Sequence, residues 1–372
     1  MSDMKPPLAL LAELTHRCPM RCAYCSNPLA LDPSSAELDT ATWCRIIDEA
    51  AEMGILQIHF SGGEPTIRKD LEILSAHAAE RGLYANLITS GVLLDEARIE
   101  SLARSGLAHA QLSIQDCEEE AGDWIGGLAG AHARKWKVAE WLGKAGMALT
   151  VNAVITRHNA ERVGAMIDLA ESWGATRVEV ANVQYYGWGL LNRAVLMPTR
   201  EQLMAMTKVV EAARERLRGV MVIDYVIPDY YADRPKSCMG GWARRFLNVT
   251  PSGRVLPCHA AETIPGLVFE TVHDRPLKAI WADNPAFERY RGIAGMPETC
   301  QACDRREIDW GGCRCQALAL AGSAEAVDPT CEKSPLHEEV QALAAREAVS
   351  GHRDIVYRSF SLEKSDPSGK AR

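Results

Sequence analysis

Glu13-Leu14-Thr15-His16-Arg17-Cys18-Pro19-Met20-Arg21-Cys22-Ala23-Tyr24-Cys25 is the stretch that decides the fold of this chain. Its cysteines follow the spacing Cys18-x3-Cys22-x2-Cys25. A [4Fe–4S] cluster is held by four ligands, so three thiolates from one tight loop leave one iron open to a substrate. Such an iron suits chelation by the amino and carboxylate groups of S-adenosylmethionine (SAM). A reduced cluster so placed can split the sulfonium into methionine and a 5′-deoxyadenosyl radical. Zinc is the competing use of a cysteine loop. Zinc loops, however, pair their ligands as C-x2-4-C with a second pair or histidines downstream, and the ten histidines here form no metal-spaced pair.

Outward from the loop, the chain alternates strand and helix as far as about Ile227. The short apolar strand Leu8–Glu13 delivers the cysteines. Further strands are expected at Leu56–Phe60, Tyr84–Thr89, His109–Ile114, Leu149–Ile155 and Val178–Val183, with Val220–Val226 as an extra one. A helix over Thr40–Met53 places Trp43, Ile46, Ile47 and Ala50 on one face and stops at Gly54. Later helices end at Gly82, Gly106, Gly146 and Gly174. Six strand–helix units imply an α/β domain with a parallel sheet and right-handed crossovers. Six are too few for the eight-stranded barrel. The expected domain, residues 1–233, is therefore a partial (β/α)6 barrel, open along one side, with its chemistry at the carboxyl ends of the strands.

Bulk properties narrow the function. A length of 372 residues allows about two domains of roughly 150 residues each. The net charge of -8 disfavours a phosphate-tracking surface, so nucleic acid is not an expected partner. No run approaches the roughly 18 apolar residues of a membrane span, and Leu8–Ala12 is too short for a secretory signal. Twelve cysteines without an export signal read as metal ligands in a reducing cytoplasm.

Within the barrel, Gly62-Gly63-Glu64-Pro65 follows a strand directly, and its glycines allow close backbone approach to a ligand. An ordinary strand-to-helix turn has the same composition. Cys44 falls beside an apolar helix face and reads as a small buried hydrophobe. Cys117 opens a glycine-rich run, Gly122 to Gly130, expected to be a surface loop. His16 and His59 read as structural, and Asp95 with Glu96 as a helix N-terminus. Beyond residue 234 the texture changes. Cys238, Cys258, Cys300, Cys303, Cys313, Cys315 and Cys331 crowd among glycines and prolines. Residues 234–340 look too irregular to fold on an apolar core alone, and metal ligation would supply the missing stability. A C-terminal helix and polar tail are expected over 341–372, partly disordered from Gly351 onward.

The cysteine loop, with Tyr24 before its third cysteine, and the Gly62–Pro65 motif together resemble the radical SAM superfamily. The resemblance implies that Tyr24, Gly62, Gly63 and Glu64 belong to the SAM site, the glycine motif holding the amino group. It places ribose and adenine contacts on Ser113, Gln115 and Asn152. The seven later cysteines resemble the SPASM domain, which carries auxiliary iron–sulfur clusters. After Cys300-x2-Cys303 that pattern expects a cysteine five residues on and another three beyond. Here Asp309 holds the first position and Cys313 the second. The resemblance implies that Cys238, Cys258, Cys313 and Cys315 hold one auxiliary cluster and that Cys300, Cys303, Asp309 and Cys331 hold the other. As a hard oxygen donor, Asp309 would shift potential and lability relative to thiolate. The alternatives are an open iron beside a solvated Asp309, or a zinc ribbon with the same C-x2-C pairs.

Asp309, the Cys313-x-Cys315 pair, the run Val183-Gln184-Tyr185-Tyr186-Gly187-Trp188 and the opening Pro6-Pro7-Leu8 are more specific. Together they resemble the peptide-cyclising enzymes of pyrroloquinoline quinone biosynthesis. That implies a carbon–carbon crosslink between a glutamate γ-carbon and a tyrosine ring in the precursor peptide PqqA, a two-electron oxidation. It also implies a carrier protein, PqqD, and an electron donor such as flavodoxin or ferredoxin. Thioether-forming or sulfatase-maturing SPASM enzymes, and a non-catalytic electron carrier, are the competing classes.

Overall fold

Seven apolar segments, each flanked by a glycine turn or a helix cap, form a parallel sheet. They are β1 (Ala9–Thr15), β2 (Gln57–Gly62), β3 (Tyr84–Thr89), β4 (His109–Ile114), β5 (Ala148–Ile155), β6 (Arg177–Asn182) and β7 (Val222–Val226). This computed structural model describes residues 5–351 and 354–360. The strands lie in the order β7-β6-β5-β4-β3-β2-β1, as strand–helix alternation requires. The crossovers carry α1 (Thr40–Met53), α2 (Leu71–Glu80), α3 (Glu96–Arg104), α4 (Glu119–Gly126), α5 (Ala131–Lys144), α6 (Val163–Ser172), α7 (Gly187–Leu191), α8 (Arg193–Leu196) and α9 (Arg200–Arg216).

Local chemistry explains the boundaries. Asp39 accepts the Thr42 N–H at 2.8 Å to start α1, and Asp95 accepts that of Arg98 at 2.8 Å to start α3. Gly54, Gly82, Gly106, Gly146 and Gly174 all carry positive φ where a helix ends. On α1 the buried face is Trp43, Ile46, Ile47 and Ala50, as expected. Along the strands the two-residue period sorts side chains. Leu10, Ile58, Phe60, Ala85, Leu87, Leu112, Val151 and Val180 join one core with the helices. The alternate positions are more polar: His59 bonds Asn86 at 2.9 Å and His109 bonds Thr150 at 2.8 Å. Ser113, Asn152, Glu179 and Asp224 stand side by side in register across β4 to β7. His16 is fully buried and accepts the Asp32 N–H at 2.8 Å, a structural role like that of His59.

Four expectations need correction. The cysteine-rich region is not wholly irregular, because β8 (Phe246–Val249) pairs in parallel with β1 and β9 (Val255–Leu256) returns antiparallel to it. Strands this short, separated by Pro251 and Gly253, leave no periodic trace. The glycine-rich run after Cys117 is the helix α4 for most of its length, with Gly126 packed beside the end of the Met20 side chain. Cys44 is only half-buried at the core margin. The last helix spans His337–Ala348, beginning before residue 341. Of the tail expected to be disordered from Gly351, residues 352–353 and 361–372 lie outside the described residues. Residues 354–360 bond to the barrel. Among the described residues no helix is long and apolar enough to cross a membrane.

Candidate active site and metal centres

The three-cysteine loop leaves the carboxyl end of β1 and is fixed on several sides. Gly63 N–H donates to Thr15 O at 2.6 Å and Glu64 N–H to Arg17 O at 2.8 Å. A Cβ on Gly62 would fall 2.2 Å from Thr15 O, and one on Gly63 2.4 Å from Arg17 O. Both glycines are therefore demanded by contact with the cysteine loop itself. A ligand ammonium donates rather than accepts, so these engaged N–H groups are not what it needs. On the far side Arg21 and Ala23 donate to Gly126 O and Ile125 O, and Asn192 Nδ2 donates to Ala23 O at 2.7 Å. The three cysteines keep some solvent contact yet are surrounded by protein. Burial pushes all three thiols up, Cys22 to about 11, and the Arg358 guanidinium opposes it at each. Thiolate formation here needs a bound cation.

Around this loop the expected SAM residues divide into two kinds. Glu64 is fully buried, and its carboxylate accepts from Thr66 N and Oγ1, Thr89 Oγ1, and Ser90 N and Oγ. It ties the end of β2 to the end of β3. Tyr24 and Gln115 do come together, with Gln115 Nε2 donating to Tyr24 Oη at 3.0 Å. Gln115 Oε1 accepts from Lys135, which is 2% exposed and forms no ion pair among the described residues. Burial pushes Lys135 down to about 8, while Cys22 and Glu64 nearby pull the other way. The sequence reading missed this residue. The signal was present: Lys135 interrupts the buried stripe Ala131, Val138, Leu142 of α5. Ser113 and Asn152 are cross-strand neighbours. Asn152 Nδ2 donates to Glu179 at 3.0 Å, while its buried Oδ1 has no partner among the described residues. Burial first, then Asp224, pushes the Glu179 carboxyl up.

The seven later cysteines separate into two groups. Cys238, Cys258, Cys313 and Cys315 lie close enough to perturb one another, and Cys315 Sγ donates to Ala260 O at 3.2 Å. Those four thiols form one unit. Cys300, Cys303, Asp309 and Cys331 instead line one small hollow together with Asp328 and Lys333. Burial pushes Cys300 up to about 11. Lys333 Nζ lies 3.1 Å from Cys303 Sγ, and Asp309 Oδ1 accepts the Gly311 N–H at 3.1 Å. Asp328, fully buried, stands between the groups: it lines the hollow and accepts the Cys313 N–H at 2.8 Å. Among the described residues no three His, Cys, Asp or Glu converge tightly enough for a single metal ion.

Tyr186 links the two halves. Its hydroxyl bonds His259 Nε2, beside Cys258, while a Cβ on Gly187 would fall 3.2 Å from Asn27 O at the end of the cysteine loop. Burial first, then charge from Cys258 and Cys25, pushes the Tyr186 phenol well up.

Residues 12–170 match the family model of the radical SAM superfamily, and residues 238–304 match that of SPASM, an iron–sulfur cluster-binding domain. Streptococcus suis SuiB bound to S-adenosylmethionine shares the fold at a TM-score of 0.72 and 20% identity, over 88% of this chain and 78% of that one. Fold and motifs thus define a radical SAM enzyme with a SPASM extension. The PqqA peptide cyclase of Granulibacter bethesdensis is 59% identical over 359 residues, 96% of each chain, and that of Methylocella silvestris 60% over 339 residues, 91% of each. The chain belongs to the PqqA peptide cyclases.

Proposed function

We propose that this enzyme crosslinks a glutamate γ-carbon to a tyrosine ring in the peptide PqqA. The observation that carries the reading is the constellation at the end of β1. A three-cysteine loop is clamped against Gly62 and Gly63, with a buried Lys135 beside it and no carboxylate paired to that cation among the described residues. When bound, SAM and the clusters supply the hydrogen-abstracting radical and an acceptor for the second electron. Cys18, Cys22 and Cys25 hold the cluster with the open iron. Lys135 meets the SAM carboxylate, Tyr24 and Gln115 fix the lysine's approach, and Ser113 with Asn152 Oδ1 receives the nucleoside. Cys238, Cys258, Cys313 and Cys315 hold one auxiliary cluster, and Cys300, Cys303, Asp309 and Cys331 the other. We take residues 1–233 and 234–340 as the two functional units. PqqD presents the peptide, a flavodoxin or ferredoxin supplies electrons, and the cytoplasm suits twelve free cysteines.

Mass spectrometry tests this. Reduced enzyme with SAM, PqqA and PqqD should yield a peptide roughly 2 Da lighter, two hydrogens being lost as one carbon–carbon bond forms. Replacing Cys18, Cys22 and Cys25 with Ala should remove about 4 iron atoms and all 5′-deoxyadenosine formation while the remaining iron stays. An unchanged peptide mass under conditions that produce 5′-deoxyadenosine would refute the substrate assignment.

A further inference from the structure

The segment 354–360 returns from the far end of the chain to the cysteine loop and is tied there at several points. Val356 N–H donates to Asn192 Oδ1 at 2.8 Å, and Asn192 Nδ2 donates back to Val356 O at 2.8 Å. The same Asn192 amide holds Ala23 O inside the loop. Tyr357 O–H donates to Trp124 O at 2.9 Å, and the Arg21 guanidinium lies over the Tyr357 ring at 5.6 Å. Arg21 Nε also donates to Arg358 O at 3.4 Å. The effect is to insert Arg358 into the protein, where it is 3% exposed.

That guanidinium is poorly compensated. Its Nη2 donates to His16 O, but Nε is buried without a partner, and no carboxylate pairs with it among the described residues. Phe360 covers it at 5.8 Å. A buried, unpaired cation is strongly unfavourable, so an anion at this spot would be stabilising. The contacts place Arg358 against the cysteine loop: its Nη2 bonds His16 O, two residues before Cys18, and its carbonyl accepts from Arg21, next to Cys22. Three thiolates around a [4Fe–4S]²⁺ core sum to one negative charge, and reduction adds a second.

We propose that Arg358 is the counter-ion of the iron–sulfur cluster held by the three-cysteine loop, a positioning residue that the C-terminal strap delivers and that raises the potential of that cluster. The inference rests on the ligand assignment of Cys18, Cys22 and Cys25 given above. A fixed positive charge favours the more negative, reduced state. Removing it therefore favours the oxidised state.

The test is a redox titration of the holoenzyme followed by electron paramagnetic resonance, with the cluster in question recognised by the change in its signal on adding SAM. In Arg358→Gln its reduction equilibrium should move about tenfold toward oxidation, which for one electron is about 59 mV downward. Arg358→Lys should stay within about threefold of wild type, and the auxiliary clusters should not move. An unchanged potential in Arg358→Gln at full iron content would overturn the proposal, as would an equal shift of every cluster. Hydrogen exchange on the unaltered protein is a second measurement. The Val356–Arg358 amides should gain about tenfold protection when iron is restored, and equal exchange with and without iron would overturn the proposal too. Absence of any SAM-responsive signal in wild type would instead refute the cluster assignment itself.

Discussion

Glu64→Gln separates a structural carboxylate from a ligand-binding one. In the fold, Oε1 accepts Thr66 N at 3.2 Å, Thr66 Oγ1 at 2.7 Å and Thr89 Oγ1 at 2.7 Å, while Oε2 accepts Ser90 N at 2.8 Å together with Ser90 Oγ. A glutamine keeps one acceptor oxygen and turns an NH2 toward the other set of donors. With its oxygen toward Thr66 and Thr89, it sets N–H against the Ser90 N–H, which cannot reverse polarity, whereas the Ser90 hydroxyl can rotate to accept. Two charge-assisted bonds are lost at about 1.5–3 kcal/mol each, and one neutral bond of about 1 kcal/mol is regained. The net cost is about 2–5 kcal/mol out of a total of about 5–15 kcal/mol. Urea unfolding of the iron-free protein, followed by circular dichroism, should show the midpoint lowered by about 1–2 M at an m-value of about 2.5 kcal/mol/M. Should the midpoint stay put while SAM affinity falls tenfold or more, the carboxylate faces the ligand and the reasoning fails.

Asp309→Ala should alter the spectrum and lability of the second auxiliary cluster, and Asp309→Cys should retain the cluster at a different potential, with SAM cleavage persisting in both. Identical second-cluster resonance spectra in all three proteins would return Asp309 to a plain carboxylate bonded to Gly311. Lys135→Met should weaken SAM binding about 10- to 100-fold, from the loss of one charged hydrogen bond of about 1.5–3 kcal/mol, at unchanged iron content. Equilibrium dialysis under anaerobic conditions measures it. His59 is pushed down to about 4, by burial first and then by His109. The unfolded chain thus takes up its proton near the ordinary 6.5 while the folded protein does not. Stability present above that value falls by about 3 kcal/mol as the pH drops from 6.5 to 4. His59→Gln should flatten that slope in urea titrations across the range.

The elements built on local signals were legible in the sequence. Asp39, Asp95 and the helix-ending glycines act through neighbours three or four residues away, so α1, β3 and β4 lie where the pattern put them. The elements that depend on distant partners were not. β8 exists because β1 offers it an edge, and nothing within Phe246–Val249 announces that. Gly122–Gly130 carries loop composition, yet α4 is held against Met20 and Arg21. The division of the later cysteines into two auxiliary groups came from their resemblance to the SPASM pattern, because C-x2-C spacing by itself serves zinc as well. Lys135 and Arg358 escaped because each is an ordinary basic residue until the chain brings it beside the loop.

The pairing of β8 with β1 has a consequence for how the chain comes off the ribosome. β1 is made before every other strand described, and β2 soon covers one of its edges. Its other edge waits for Phe246–Val249, about 190 residues after β2. At synthesis rates of about 5–20 residues per second that edge stays bare for about 10–40 s. A bare strand edge is a template for pairing with another chain, and here it ends in the loop bearing Cys18, Cys22 and Cys25. The nascent protein therefore passes through an interval when its sheet is unfinished beside that loop, and the pairing of Phe246–Val249 with Ala9–Ala12 ends it.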